Sequence, residues 1–190
     1  MNEKHFLNLI SLPDQADKNI KRFKRACAKH IGDFPSMNSR AHISFDRLVF
    51  DTDVSYKAVD HKMFYDVVES ILSNVPSINL KINGFNFFNH GAYHRTIYAA
   101  IEPDAVTMRW FDFVKKTFLR KDRMVPHITI ARNISIEAFN KLWPHFQNLK
   151  FTDNFDVEEI TILCKDSNSQ GPYQIYKVMP LRKRNLVQAS

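Results

Sequence analysis

The segments AHISF at 41–45 and PHITI at 126–130 repeat one pattern: a histidine, an apolar residue, a hydroxyl residue and another apolar residue. The two histidines, His42 and His127, lie 85 positions apart in a chain of 190 residues, so each half of the chain carries one copy. Polar and apolar residues alternate in both segments, which predicts a half-buried β-strand in each. The sequence therefore indicates two halves of similar structure, each contributing one strand to a common site.

Side chains on a strand point to opposite faces in turn, and this alternation decides which residues share a face. His42 and Ser44 lie on one face of the first strand, and the apolar residues between and after them face the core. His127 and Thr129 share a face of the second strand in the same way. If an internal two-fold relates the strands, two imidazoles and two hydroxyls meet in one cleft.

This set of side chains suits phosphodiester chemistry without a metal. A neutral imidazole accepts the proton of an attacking oxygen, and a protonated imidazole donates a proton to the departing oxygen. Histidine suits both roles because its ordinary pKa lies near neutrality. Hydroxyls can hydrogen-bond to the non-bridging phosphate oxygens and hold the phosphorus in line between the rings. We therefore predict that His42 and His127 are catalytic and that Ser44 and Thr129 bind the substrate.

The rest of the chain alternates between helix and strand patterns in an irregular order. Apolar residues at helical spacing predict helices over 15–30, 59–72, 105–118 and 136–146. Apolar and alternating runs predict strands over 6–12, 40–50, 78–88, 96–101, 125–131, 160–165 and 173–179. This order favours an α+β fold over a doubly wound sheet. We expect a single domain over 1–181 and a basic, flexible tail over 182–190.

Composition and spacing exclude several classes of protein. The 4 glycines are too far apart for a dinucleotide-binding or ATP-binding loop, so we expect no nucleotide cofactor of those kinds. The sequence holds no apolar run of about 18 residues and no signal-peptide pattern, so we expect a cytoplasmic protein without membrane association. Cys27 and Cys164 match no metal-ligand spacing and are predicted to be free thiols. The net charge of +7 is compatible with a phosphate-bearing partner.

The pair His90 and His94 has the spacing of a metal site on a helix, but Gly91 between them predicts an exposed loop. The neighbouring Tyr93 and Arg95 are candidates for contacts with a base or a phosphate at the mouth of the cleft. We predict no metal site.

Basic and aromatic residues elsewhere have patterns that are less specific. Arg132 follows the second motif, but strict alternation places it on the face opposite His127, so we leave it outside the predicted site. The aromatic residues at 85, 87 and 88 can stack on bases, although aromatic residues in strands more often belong to the core, which we favour. The basic run at 182–184 can contact an RNA backbone, and a solvated tail is the preferred interpretation.

The motif pair makes the chain resemble the 2H phosphoesterase superfamily, which includes the bacterial 2′-5′ RNA ligases and the cyclic phosphodiesterases. The two H-x-[S/T]-hydrophobic motifs of that family are matched here at 42–45 and 127–130. The similarity covers roughly residues 5–181, including a first strand that ends in Leu12 and Pro13 and a closing strand–loop–strand over 155–181. It implies a bilobal, pseudo-two-fold α+β fold, with antiparallel sheets lining a water-filled cleft and helices outside.

The resemblance also implies an enzyme that acts without metal or cofactor on 2′,3′-cyclic or 2′-5′ phosphates of RNA ends or nucleotides. Water opens the cyclic ester, and the reverse reaction joins a 5′-hydroxyl to it in a 2′-5′ link without ATP. Three alternatives stay open: a 2′-5′ oligonucleotide phosphodiesterase, a non-catalytic RNA- or nucleotide-binding module, and a hydrolase of another small phosphorylated metabolite. We expect a monomer without an obligate protein partner.

The first motif departs from the family pattern in two ways. Ser44 stands where threonine is commoner, and Asp46 and Arg47 follow where related ligases more often continue with apolar residues. These differences concern the choice of substrate more than the type of reaction.

Overall fold

The computed structural model of the chain describes residues 3–51 and 60–184. Within these ranges the chain forms eight strands and four helices in an irregular order. They are β1 Glu3–Ser11, α1 Asp14–Ile31, β2 His42–Asp51, α2 His61–Leu72, β3 Ile78–His90, β4 His94–Ile101, α3 Ala105–Thr117, β5 His127–Ser135, α4 Ile136–Phe146, β6 Thr152–Val157, β7 Glu159–Asp166 and β8 Gln174–Pro180.

The strands form two antiparallel sheets of the same design. The first sheet has the order β2-β1-β7-β8, and the second has the order β5-β4-β3-β6. In each sheet the strand that carries a motif lies at the edge and pairs with the strand that precedes it in the same half of the chain. The predicted α+β, bilobal, pseudo-two-fold fold is confirmed.

One strand, β6, was not predicted from the sequence. β6 is an edge strand in which Phe155 and Val157 are buried and the other residues are exposed or half-buried. With two apolar residues facing the core, its hydrophobic pattern is too short to mark a strand.

The helices that connect the paired strands are exchanged between the two halves. On α1, Phe23 packs against Phe85 of β3, in the second sheet, with ring centroids 4.9 Å apart. Phe111 of α3 and Phe118, the residue directly after α3, pack against Phe45 of β2, in the first sheet, with centroids 5.7 and 6.1 Å apart. Because each half covers the other with a helix, the two lobes share one continuous core.

The two remaining helices cover the sheet of their own half. Tyr65 of α2 packs against Phe6 of β1 at 5.1 Å, and Phe139 of α4 packs against Phe87 of β3 at 4.8 Å. All four helices therefore lie on the outer faces of the sheets. The inner faces line the cleft between the lobes.

The buried face of α2 differs from the predicted one. Of the apolar residues at helical spacing on this helix, Val68 is buried, whereas Met63, Val67 and Ile71 are exposed. The helix also turns Tyr65 inward, which the apolar spacing did not indicate. The Tyr65 hydroxyl donates a hydrogen bond of 2.9 Å to the Asn8 side chain, which is buried in β1, and this polar contact was invisible to a pattern based on apolar residues.

Polar N-cap residues mark where three of the helices begin. Asp60 accepts a hydrogen bond from the second backbone N–H of α2, and Asp104 accepts two from the first turn of α3. Ser135 caps α4 through the backbone N–H of Ala138. These side chains satisfy backbone donors that have no partner within the helix.

The chain beyond β8 returns to the segment before β3. The backbone N–H of Arg182 donates to the carbonyl of Val75 at 2.8 Å, and the carbonyl of Arg182 accepts from Ser77 at 2.8 Å. Residues 185–190 of the predicted tail lie outside the described residues, and the boundary between domain and tail stays a prediction. Cys27 and Cys164 are free thiols. None of the helices in the described ranges has the length and apolar character needed to cross a membrane.

Candidate active site

The two motifs begin at equivalent ends of their strands. His42 is the first residue of β2 and pairs with Ser11, and His127 is the first residue of β5 and pairs with Ala100. β2 and β5 are in contact across the two lobes.

The alternation of faces in both motifs follows the prediction. The intervening apolar residues are buried beneath the helices, whereas the histidines and the hydroxyl residues of the motifs are half-buried. The four predicted site residues therefore lie on the inner faces of the sheets, on β2 and β5: His42, Ser44, His127 and Thr129.

Both imidazole rings are held by the same backbone contact. Nδ1 of His42 lies 2.8 Å from the carbonyl oxygen of Arg40, and Nδ1 of His127 lies 2.8 Å from that of Val125. A carbonyl oxygen can only accept, so Nδ1 carries the proton in each ring. The neutral rings therefore share one tautomer, in which Nε2 carries the lone pair and is available to take up a proton.

The pKa values of both histidines lie below the ordinary value. Burial lowers the pKa of His42, and the charges of Lys24 and Arg132 lower it further. Burial also lowers the pKa of His127, as do the charges of His42 and Arg132. In each ring the backbone hydrogen bond to Nδ1 opposes part of this decrease. The charge of His42 contributes to the lower pKa of His127, as expected for two rings on strands that contact each other across the lobes.

A buried lysine holds the loop that precedes His42. Nζ of Lys24, on α1, donates to the carbonyl oxygens of Ser36 and Ser39 at 3.0 and 2.9 Å. Burial lowers the pKa of Lys24 to about 8. The sequence analysis missed this residue, although a lysine between Ile20 and Cys27 on the buried face of an amphipathic helix was a detectable signal.

A second buried lysine does the same for the other half of the site. Nζ of Lys115, on α3, donates to the carbonyl oxygen of Asp122 at 2.6 Å and contacts the carboxylate of Asp112 at 2.9 Å. Residue 122 lies in the loop that leads to His127. Each histidine is thus positioned by a backbone carbonyl in a loop that a buried ammonium group stabilises.

A β-bulge in β5 brings Arg132 to the same face as His127. Thr129 and Ala131 pair with consecutive residues of β4, so Ile130 between them is the extra residue. Ile130 and Ala131 are consecutive and both buried. The next residue, Arg132, therefore faces the opposite side from the one that strict alternation gives it. The prediction that Arg132 points away from His127 was wrong because it assumed an unbroken strand. The effect of Arg132 on the pKa of both histidines agrees with this position.

The same bulge occurs in the first motif. Ser44 and Asp46 pair with consecutive residues of β1, which makes Phe45 the extra residue. Phe45 and Asp46 are both buried, and Arg47 therefore lies on the face of His42.

Two aromatic side chains border His127. The ring of Phe88 lies 4.8 Å from the His127 ring in an edge-to-face arrangement, and the ring of Tyr98 lies 5.2 Å away. Phe88 and Tyr98 stack on each other at 4.3 Å. The prediction that the three phenylalanines of β3 belong to the core holds for Phe85 and Phe87, but Phe88 lies on the inner face. The signal available in the sequence was alternation, which places Phe88 on the same face as Asn86.

His90 and His94 face each other at the end of the β3–β4 hairpin, on either side of Gly91. Nε2 of His90 lies 2.9 Å from the hydroxyl of Thr96. Within the described ranges, no group of three or more potential metal ligands comes together, here or elsewhere. The segment is exposed as predicted, but only residues 91–93 form a turn, and the two histidines end paired strands.

The other two candidates at this hairpin have different surroundings. Tyr93 is 73% exposed at the turn. The guanidinium of Arg95 donates to carbonyl oxygens of the turn, including that of Gly91 at 3.1 Å and that of His94 at 2.7 Å. Arg95 therefore stabilises the hairpin, and its contact with a substrate at the cleft mouth is not supported.

Comparison with known proteins agrees with this architecture. A profile of the 2′-5′ RNA ligase superfamily matches residues 12–168. The structure of E. coli LigT in its apo form superposes with a TM-score of 0.62 at 16% identity, covering 96% of this chain and 99% of LigT. E. coli LigT complexed with 3′-AMP gives 0.62 at 17% identity, with 94% and 98% covered. The protein TT0787 of Thermus thermophilus gives 0.63 at 14% identity, also with 94% and 98% covered.

A comparison with curated proteins by sequence finds no match. The structural similarities, at these low identities, concern the fold. The family profile covers most of the chain, including both motifs. The chain belongs to the 2′-5′ RNA ligase superfamily, as its two histidine motifs indicated.

Proposed function

We propose that this protein is a phosphoesterase that opens 2′,3′-cyclic phosphates of RNA ends or nucleotides without a metal, with His42 and His127 as its general acid and base. The observation that carries the proposal is the matched pair of Nδ1 contacts with backbone carbonyls. Both rings consequently present Nε2 for proton transfer. The two motifs then act as equivalent halves of one acid–base pair.

In hydrolysis the neutral ring takes a proton from a water molecule as its oxygen attacks the phosphorus. A new P–O bond forms, one P–O bond of the cyclic ester breaks, and the protonated ring gives its proton to the departing ribose oxygen. The hydroxyls of Ser44 and Thr129 donate to the non-bridging oxygens. Arg132 adds a positive charge on the same inner face, where negative charge accumulates on the phosphate.

Ligation uses the same groups in the same roles, and its reversal, cleavage of the 2′-5′ link back to the cyclic phosphate, exchanges those roles. The 5′-hydroxyl of a second RNA end attacks the cyclic phosphate, and a 2′-5′ link forms as the ring opens. The strained ester supplies the free energy, so no nucleotide triphosphate is consumed. Which histidine acts as the acid depends on the direction of the reaction.

A nucleotide at this site is supported by two observations. The stacked Phe88 and Tyr98 rings lie next to His127, where a base or ribose can pack against them. The family member LigT was crystallised in complex with 3′-AMP. The proposal includes that the protein is a monomer, acts in the cytoplasm and uses RNA ends as substrates.

The decisive experiment is incubation of the purified protein with 2′,3′-cyclic nucleotides and 2′-5′ dinucleotides in the presence of EDTA. We expect turnover of the cyclic substrates, and a decrease of at least about 10²-fold in His42→Ala and in His127→Ala. His30→Ala is the matched control, because His30 stacks on His145 at the outer helices, 5.6 Å away.

Three other results would contradict the proposal. A double variant that lacks both motif histidines and still opens cyclic phosphates at the parent rate excludes their role. Binding without turnover indicates the non-catalytic module. Cleavage restricted to the 2′-5′ dinucleotides indicates the oligonucleotide phosphodiesterase.

A further inference from the structure

Arg47 and Arg132 occupy equivalent positions in the two halves of the cleft. Each lies five residues after its motif histidine, and each reaches the inner face through a β-bulge at the residue after the motif hydroxyl. We propose that Arg47 forms a second phosphate subsite, which binds a phosphate of the RNA chain beyond the one that reacts. The inference rests on the proposed function, and it makes an RNA oligonucleotide a better ligand than a mononucleotide.

The surroundings of Arg47 are basic. Its Nη2 atom lies 2.7 Å from Nδ1 of His5, on the neighbouring strand β1. His5 pairs in turn with Lys165 of β7, so the three side chains share the inner face of the first sheet. On the side of His5 away from Arg47, the carboxylate of Glu3 lies 3.5 Å from Nε2 of His5. Arg47 is exposed, and its guanidinium is therefore accessible to a ligand.

The acidic neighbour of Arg47 does not neutralise it. The Asp46 side chain is buried on the opposite face, where Nη1 of Arg120 contacts its Oδ1 atom at 3.1 Å. The same oxygen accepts a hydrogen bond from the backbone N–H of Arg47. Among the side chains of residues 3–50 and 60–184, no carboxylate forms an ion pair with the Arg47 guanidinium. The bulge therefore separates the two charges of this dipeptide, placing the anion in the core and the cation in the cleft.

The position of Arg47 excludes a direct contact with the reacting phosphate. Its guanidinium binds His5, which lies six residues before Ser11, the partner of His42. Six residues of extended strand span about 20 Å. Arg132, in contrast, is close enough to lower the pKa of both histidines. Two equivalent arginines thus have different tasks, with Arg132 near the reacting phosphate and Arg47 on a phosphate further along the chain.

A cation that contacts one phosphate has a measurable signature. It increases affinity for any ligand long enough to reach it, and it contributes about one unit to the dependence of log K on log salt. A ligand that ends before the subsite gains nothing from it. Ligand length and salt therefore distinguish a subsite from a general effect of positive charge.

The test is equilibrium binding of oligonucleotides of one to four residues that end in a 2′,3′-cyclic phosphate. The His127→Ala protein is used so that the ligand is not consumed. We expect the longest ligand to bind at least roughly tenfold more tightly than the mononucleotide, and Arg47→Ala to remove most of this gain. The salt slope for the longest ligand should decrease by about one, and Arg47→Lys should retain part of both effects.

Arg109→Ala is the matched control, since Arg109 lies on the outer helix α3, away from the cleft. A flat length series, or an Arg47→Ala protein that binds the longest ligand as tightly as its parent, overturns the subsite. An equal loss in Arg109→Ala also overturns it, because the effect is then one of net charge. Lack of turnover by the unmodified protein contradicts the proposed function alone, and the binding constants still decide whether the subsite exists.

Discussion

Lys24 and Lys115 occupy the same place in their helices, each ten residues after the first residue of α1 or α3. Each donates from Nζ to a backbone carbonyl in the loop before a motif histidine. The internal two-fold therefore extends beyond the motifs to the groups that position them. α1 and α3 each pack against the sheet of the other half. Each lysine therefore connects this packing with the motif histidine of the half to which the lysine belongs.

Replacing Lys24 with methionine should raise the pKa of His42. The ammonium group of Lys24 is one of the charges that lower this pKa, and methionine has similar length without a charge. The measurement is an NMR titration of the His42 ring protons in both proteins. Lys29→Met, at an exposed position of the same helix, is the control. A pKa of His42 that is unchanged or lower in Lys24→Met contradicts the prediction.

The dependence of kcat/KM on pH should be bell-shaped, with its maximum below pH 6.5, the ordinary pKa of histidine. The reaction needs one charged and one neutral ring, and burial lowers the pKa of both. Activity falls as the pH drops through the lower pKa, where the base is protonated. It also falls as the pH rises through the upper pKa, where the acid loses its proton.

Replacing Arg132 with glutamine should move both limbs of this profile to higher pH, besides decreasing the rate. The charge of Arg132 lowers the pKa of both histidines, so its removal lets both pKa values rise. The measurement is kcat/KM for a 2′,3′-cyclic nucleotide across the pH range. Arg25→Gln, at an exposed position on α1, serves as control. Limbs that stay in place, or that move to lower pH, would show that Arg132 lies outside the site.

Removal of either motif hydroxyl should decrease kcat by about 10- to 100-fold, the effect of one hydrogen bond to a charged group. The variants are Ser44→Ala and Thr129→Val, measured with a 2′,3′-cyclic nucleotide. Ser44→Thr should retain activity, because it keeps the hydroxyl. Ser70→Ala, on α2 and away from the cleft, controls for loss of a serine elsewhere. If both motif variants match the parent in kcat, the hydroxyls do not contact the phosphate in the transition state.

Phe45→Ala should destabilise the protein by about 3–5 kcal/mol, as expected for a large cavity in a packed core. The ring of Phe45 is 7% exposed and packs against α3, so it connects the two halves. The measurement is the free energy of unfolding in urea. Phe113→Ala removes a ring of α3 that is 52% exposed and should change stability by less than about 0.5 kcal/mol. Equal losses in the two variants would contradict the exchanged packing.

The motifs carried enough information to predict the fold and the inner face, because a half-buried strand must alternate. His42 and Ser44 on one side of Ile43 required nothing beyond the period of two. The same rule failed at Arg132, where a single extra residue in the strand just before it reverses the alternation of faces. A bulge depends on pairing with a neighbouring strand, and this tertiary contact leaves no mark on the apolar pattern.

Other features were hidden for a related reason. Tyr65 of α2 enters the core because the Asn8 side chain accepts a hydrogen bond from its hydroxyl. Met63 and Val67 stay exposed, although they are as apolar as core residues. Lys24 and Lys115 are charged, and a scan for apolar positions passes over them. In each case a polar contact made across the fold outweighed the local hydrophobic period.

The core that the two halves share depends on a finished polypeptide. Both motif histidines are synthesised by residue 127, yet the first sheet receives β7 and β8 from 159–180. A chain that ends before residue 159 lacks half the strands of the first sheet, although it contains all four helices. We therefore expect neither half of this molecule to fold as an independent unit.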